Sequence, residues 1–209
     1  MLYLVNNLPR VAALFGQHLY LTLSALALAI LLGIPIGILI HRISWLRGPV
    51  LGVLGVIYTI PSLSLLVLLI PLTGLSPSTA IIALVAYAQL VLVRNTLAGL
   101  NTVDPFTVEA AMGMGMNGWQ RLWRVELPLA SPVIIAGVRL AAIAIIGIGT
   151  IAAFISAGGL GVLLFEGVRT SNYDKIVAGA IAVSVLAIGI NWLLRALEKQ
   201  ATLRTRGET

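Results

Sequence analysis

The sequence predicts an all-α membrane protein, a single domain over residues 1–209 that crosses the bilayer five times. Two observations carry this. The chain of 209 residues is 59% hydrophobic and only 10% charged, with a mean hydropathy of +1.06, whereas soluble domains carry about 25% charged residues. Between Arg47 and Arg94, residues 48–93 contain no Asp, Glu, Lys, Arg or His. A hydrocarbon core of roughly 30 Å takes about 20 apolar residues per helix, so this interval holds two spans and a tight turn.

The elements follow in order. Residues 1–17 carry one basic residue, Arg10, and run into an apolar stretch without a small-residue cleavage site, so they are expected to be retained. Apolar runs of suitable length predict spans at about 19–40, 50–70, 79–100, 129–155 and 176–194. Pro and Gly in the stretch 71–77 predict the hairpin between spans two and three. Pro61 removes a helical hydrogen bond and is expected to kink span two, and Pro35 to do the same in span one. Around Pro35, Gly33 and Gly37 predict close helix packing. Residues 158–174 are too short to span and predict a re-entrant or amphipathic segment.

Orientation follows from basic residues near the span ends. Five spans put Arg42, Arg47, Arg94, Arg121, Arg124, Arg195, Lys199, Arg204 and Arg206 on one side, and Arg10, Arg169 and Lys175 on the other. The richer side is expected to be cytoplasmic, which leaves the N-terminus outside and the C-terminus inside. Trp45, Trp119, Trp123 and Trp192 fall at that same side, as an interfacial belt does. The net charge of +6 therefore reads as membrane anchoring, with no nucleic-acid partner. With no cysteine there is neither a disulfide framework nor a thiolate metal site, and His18 and His41 lack metal-ligand spacing.

The polar block 104–128 stands apart from this apolar chain. Asp104 predicts an N-cap and Pro105 a first helical residue. About two turns follow to Met112, and Gly113 and Gly115 end them. Asn117 predicts the cap of a second short helix with Trp119, Leu122 and Trp123 on one face. Leu127 and Pro128 are expected to turn the chain into span four. The result is a helix–turn–helix lying across the membrane surface, with Ala110 and Ala111 small enough for a partner to approach closely.

Glu109, Ala110, Ala111, Gly115, Leu127 and Pro128 have the spacing E-A-A-x(3)-G-x(11)-L-P. This resembles the coupling-loop signature of bacterial binding-protein-dependent ABC importer permeases. The stretches His18-Leu-Tyr-Leu-Thr-Leu, Ile60-Pro-Ser-Leu-Ser-Leu-Leu, Val93-Arg-Asn-Thr, Ser131-Pro-Val-Ile-Ile-Ala-Gly-Val-Arg139 and Ala157-Gly-Gly-Leu-Gly161 look like the glycine betaine, carnitine and choline permeases of that group. The resemblance runs from about residue 15 to 195. It implies a type I ABC importer (MetI-like) fold in the bacterial inner membrane. It also implies two ATPase subunits that grip the coupling loops, a second permease copy or paralogue, and an external substrate-binding protein. ATP and magnesium would be used by the ATPase. Val162 stands where the family often has an acidic residue after the Gly-Gly-Leu-Gly stretch.

No cofactor is expected on this chain itself, since it contains no GxxxxGK[ST] phosphate loop and no Gly-Lys pair. No catalytic residues are assigned: an intramembrane hydrolase would need a nucleophile and base that two isolated histidines do not supply. For the substrate pathway the candidates are Tyr58, Thr59, Pro61 and Tyr87, because aromatic faces attract quaternary ammonium groups and a proline break exposes carbonyls. Phe154 is a further span aromatic. Arg139 reads as an interfacial anchor or a partner of Glu126. The rival readings are a methionine or other amino-acid importer, and a non-transporting membrane scaffold.

Overall fold

The computed structural model describes Tyr3 and residues 6–206. Arg206 is the last of these and its side chain lies outside the described set. The described residues contain helices and turns and no strand. The helices are α1 (Leu8–Arg42), α2 (Arg47–Thr59), α3 (Ser62–Thr73), α4 (Pro77–Asn101), α5 (Pro105–Gly113), α6 (Gly118–Arg121), α7 (Leu127–Gly149), α8 (Gly161–Arg169) and α9 (Tyr173–Arg206). Among described residues, α1, α4, the unit Gly118–Gly149 and α9 are long and apolar enough to cross a membrane.

The kink expected at Pro61 in the second span is present and sharp. Residues 50–70 do not form one straight helix: α2 and α3 meet at a bend of 99°. Helices of 13 and 12 residues rise only about 20 and 18 Å, so neither alone crosses a 30 Å core. The break follows from Pro61, which drives the preceding residue out of the helical region. Ile60 is extended, with ψ 128°. Pro35, by contrast, lies inside the continuous helix α1, so the chain does not break there. Gly33 and Gly37 hold that stretch against α4, where added β-carbons would lie 2.8 Å from Leu92 and 2.5 Å from Thr96.

The same device joins α4 to α7. A β-carbon on Gly99 would meet the Ala130 carbonyl oxygen at 2.9 Å, and one on Gly137 would meet Asn95 at 2.3 Å. α4 packs against both α1 and α7, which also touch each other, and α9 packs on α7 and carries α8. Arg139 on α7 donates to Glu198 at 2.9 Å and to Asn191 at 3.3 Å, both on α9. Its expected pairing with Glu126 does not occur. The two lie 13 residues apart, roughly 20 Å along the α-rise.

The hairpin between α3 and α4 is tighter than expected, because Pro71 lies within α3. Gly74 turns the chain at φ 76°. Ser76 caps α4 by accepting from the Thr79 amide. Span four ends early: α7 stops at Gly149 and a 3₁₀ turn occupies Ile151–Ile155.

Candidate functional site

The polar block is built at one end of the α1–α4–α7 bundle. The Asp104 carboxylate accepts from the Phe106 amide at 3.0 Å and starts α5. At its other end Met116 N–H donates to Ala111 O and Gly115 N–H to Met112 O, the paired bonds of a Schellman closure. That closure needs a left-handed residue, which Gly115 supplies with φ 78°. Asn117 then caps α6, accepting from the Trp119 and Gln120 amides while the Gln120 side chain accepts from Asn117 N–H. This reciprocal capping box satisfies amides that a helix start leaves free.

Within the block, Glu109 and Ala110 are exposed and Ala111 is buried. Val108 packs with Leu100, Val103, Leu122, Ala130 and Ile134, and Ile34 and Ile38 of α1 reach the same cluster. α5 is therefore seated by one apolar edge while its acidic side stands in solvent. Trp119 and Trp123 pack edge to face at 5.6 Å. Together with Leu122 they line a cavity of about 560 Å³ whose other wall is Pro35, Ile38 and Leu39 of α1.

Leu127 and Pro128 do not turn the chain, and here the expectation is corrected. Residues 118–149 run as one helical unit, so the second short helix is the beginning of the fourth span. Between α6 and α7 the turn Leu122–Glu126 is a π-turn, closed by Leu127 N–H donating to Leu122 O. A proline ring collides with the carbonyl four residues before it, here that of Arg124, and widening the preceding turn relieves the collision.

The π-turn has a second consequence that the sequence did not announce. It brings Arg121 and Glu126, five apart, onto one side of the helix. Arg121 Nε donates to Glu126 Oε1 at 2.7 Å. Arg42, the last residue of α1, reaches Glu126 Oε2 at 3.1 Å and the Gly118 carbonyl at 3.2 Å. Glu126 is only 3% exposed. Only the loss of both arginines would leave this buried carboxylate uncompensated, at a cost of roughly 3–5 kcal/mol. Arg47 fastens the same corner by donating to the Ile40 and His41 carbonyls, and His41 pairs with Asn101 at 3.1 Å. A helix-period reading of the sequence looks for pairs three or four apart, and so passes over Arg121 and Glu126.

The pathway candidates converge at the α2–α3 break. Tyr58 and Tyr87 lie edge to face with centroids 6.1 Å apart. The Tyr87 hydroxyl donates to the Ile60 carbonyl, which the break leaves without a helical partner. Tyr87 is buried and Tyr58 half-open. Thr59 donates back to Val56 O at 2.7 Å. Phe154 pairs instead with Phe165 of α8 at 5.9 Å.

The far end of the bundle carries the Gly-Gly-Leu-Gly stretch. Gly158 and Gly159 both have φ 82°, and the Gly159 amide donates to Gln17 of α1 at 3.1 Å. The short helix α8 that follows is held by Glu166, which pairs with Arg10 at 2.6 Å and Lys175 at 3.4 Å. Gln17 and Arg42 are 25 residues apart on α1, about 37 Å. The two glycine-bearing regions therefore sit at opposite ends of a membrane-sized bundle.

Comparison with known proteins agrees with this architecture. The chain is 44% identical to the osmoprotectant import permease protein OsmW of Salmonella typhimurium, covering 94% of each chain. It is 38% identical to the glycine betaine/carnitine/choline transport system permease protein OpuCB of Bacillus subtilis, over 90% of this chain and 86% of that one. The carnitine transport permease protein OpuCB of Listeria monocytogenes is 42% identical, over 89% and 85%. Among solved structures, the inward-facing MetNI methionine ABC transporter superposes with a TM-score of 0.82 at 21% identity, over 88% of this chain and 93% of that one. At that identity the likeness speaks for the fold alone. The model of the binding-protein-dependent transport system inner membrane component matches residues 26–202, and the chain belongs to that family.

Proposed function

We propose that the chain is the permease subunit of an ATP-binding-cassette importer for a compatible solute of the glycine betaine, choline or carnitine kind. The exposed helix α5, with Glu109 and Ala110 in solvent and its end closed at Gly115, is the observation that carries the coupling role. Together with Pro128 and the half-buried Leu127 it forms the surface for an ATPase subunit, and the buried Ala111 lets α5 sit close against the bundle. The substrate class rests on the relatives, whose names span osmoprotectant, glycine betaine, carnitine and choline transport.

In this reading the N-terminus faces outward and the α5 end faces the cytoplasm, where basic residues cluster. Two ATPase subunits bind and hydrolyse ATP with magnesium. This chain, lacking a phosphate loop, supplies neither site. A second permease, identical or paralogous, completes the pathway, and an external binding protein delivers the solute to the end that carries Gly158 and Gly159. Closure of the ATPases displaces α5, and the spans rock in response. The solute passes the α2–α3 break, where Tyr58 offers a ring face to a quaternary ammonium, Tyr87 backs it from the core, and Thr59 and Pro61 shape the opening.

The test is ATP-driven glycine betaine uptake by the assembled importer after Glu109→Lys or Gly115→Val. Uptake is expected to fall at least tenfold with normal membrane insertion. Undiminished uptake would sink the coupling assignment.

A further inference from the structure

We infer that Arg42 is a positioning residue that carries the movement of the coupling block into the first span, acting through Glu126. This rests on the importer reading above and names how its stroke enters the membrane helices.

Three kinds of link fasten α5 and α6 to the rest of the chain. One kind is covalent: residues 102–104 lead from α4 into α5, and the π-turn leads from α6 into α7. A second is the apolar cluster in which Val108 and Leu122 meet Ile34 and Ile38. Apolar contact is non-directional, so these surfaces can slide past each other while staying buried. The third link is Arg42. It leaves the end of α1, takes Glu126 Oε2 at 3.1 Å and takes the carbonyl of Gly118, the first residue of α6, at 3.2 Å.

Arg121 holds Oε1 at 2.7 Å, while Arg42 is the donor to Oε2 at 3.1 Å and also reaches Oε1 at 3.3 Å. If α1 lagged behind the block, Oε2 would be left buried without a donor, and such a state is strongly disfavoured. The pair therefore sets a register that the apolar cluster does not. α1 in turn is clamped to α4 by Gly33 and Gly37 and by Gln89, which donates to Ala29 O at 3.3 Å. Motion entering at Arg42 is passed on to two helices of the bundle, and α7 receives it directly.

Arg42→Gln tests this cleanly, because Arg121 still neutralises Glu126 and the exposed face of α5 is untouched. Glycine betaine uptake and ATP hydrolysis would be measured together in proteoliposomes carrying the assembled importer. The expected result is at least a tenfold fall in solute moved per ATP, with normal recovery of the complex and hydrolysis within about twofold of the parent. Arg42→Lys, which keeps a cation within reach, should restore at least half of the ratio. The chain has no cysteine, so spin labels at Ser44→Cys and Thr107→Cys report α1 against α5. Their separation should stay constant between nucleotide-free and ATP-bound states in the parent and change between them in Arg42→Gln.

A parental ratio in Arg42→Gln would overturn the inference. So would a parallel fall of complex recovery, hydrolysis and uptake, which would make Arg42 a fold anchor and nothing more. Failure of the parent chain to assemble with an ATPase or to move glycine betaine would strike the importer reading itself, independently of Arg42.

Discussion

At Gly115 an added β-carbon would meet no atom within 4 Å, yet the backbone sits at φ 78°. At Gly161, on the other end of the bundle, φ is ordinary but a β-carbon would lie 1.9 Å from the Thr150 carbonyl oxygen. The first glycine is required by conformation and the second by space. The turn at Gly115 stands in solvent, and its own backbone hydrogen bonds shape it. The loop before α8 is wedged between α1 and the end of α7, so its shape is imposed by neighbours. An exposed handle and a packed socket make different demands on the same residue type.

The contrast can be broken most forcefully at Gly161. Gly161→Ala pushes a methyl group into backbone that has no rotamer to yield, and should destabilise by about 3 kcal/mol, the upper end for overpacking. Thermal unfolding of the detergent-solubilised protein would register this as a lower Tm, and Gly161→Asn should be no better. Gly37→Ala comes next: its nearest contact is the Thr96 β-carbon at 2.5 Å, less severe than a backbone carbonyl at 1.9 Å, and a loss of about 2 kcal/mol is expected in the same measurement. Gly115→Ala costs about 1–2 kcal/mol for a left-handed alanine. Because the strain is confined to the turn, uptake should fall further than global stability does. Gly115→Asn should recover much of the uptake, since Asn tolerates that conformation. Equal rescue by Asn at positions 115 and 161 would erase the distinction. Smallest is Tyr87→Phe, which removes one hydrogen bond to the Ile60 carbonyl and about 1 kcal/mol of stability. Uptake kinetics should reveal whether the break at Pro61 still presents its Tyr58 face, with KM changing more than kcat.

How much of this was legible depends on whether the cause is local. Caps at Asp104, Ser76 and Asn117 are local chemistry between residues two or three apart, and the caps at Asp104 and Asn117 were readable from sequence. Prolines at 35 and 61 look alike in sequence, since each sits in an apolar run. Only one breaks its helix, because Gly33 and Gly37 lock α1 onto α4 while the Ile60 carbonyl finds a substitute donor in Tyr87. The cluster at Glu126 was hidden for a related reason. Its partners lie 5 and 84 residues away, spacings that no single helical period announces. Arg139 was read as a possible partner of Glu126, but the packing of α7 on α9 assigns it to Glu198.

Sequence by itself determined that the chain lives in a bilayer, which faces carry charge, and where the polar handle with its caps must fall. These properties depend on composition and on neighbours within one turn, and the solvent enforces them wherever the helices go. Tertiary structure alone decided which proline bends its helix, that the second short helix continues into the fourth span, and that a buried carboxylate joins Arg42 to the handle. Those outcomes depend on which helix faces meet at atomic contact, and a linear chain does not specify that contact until the bundle has closed.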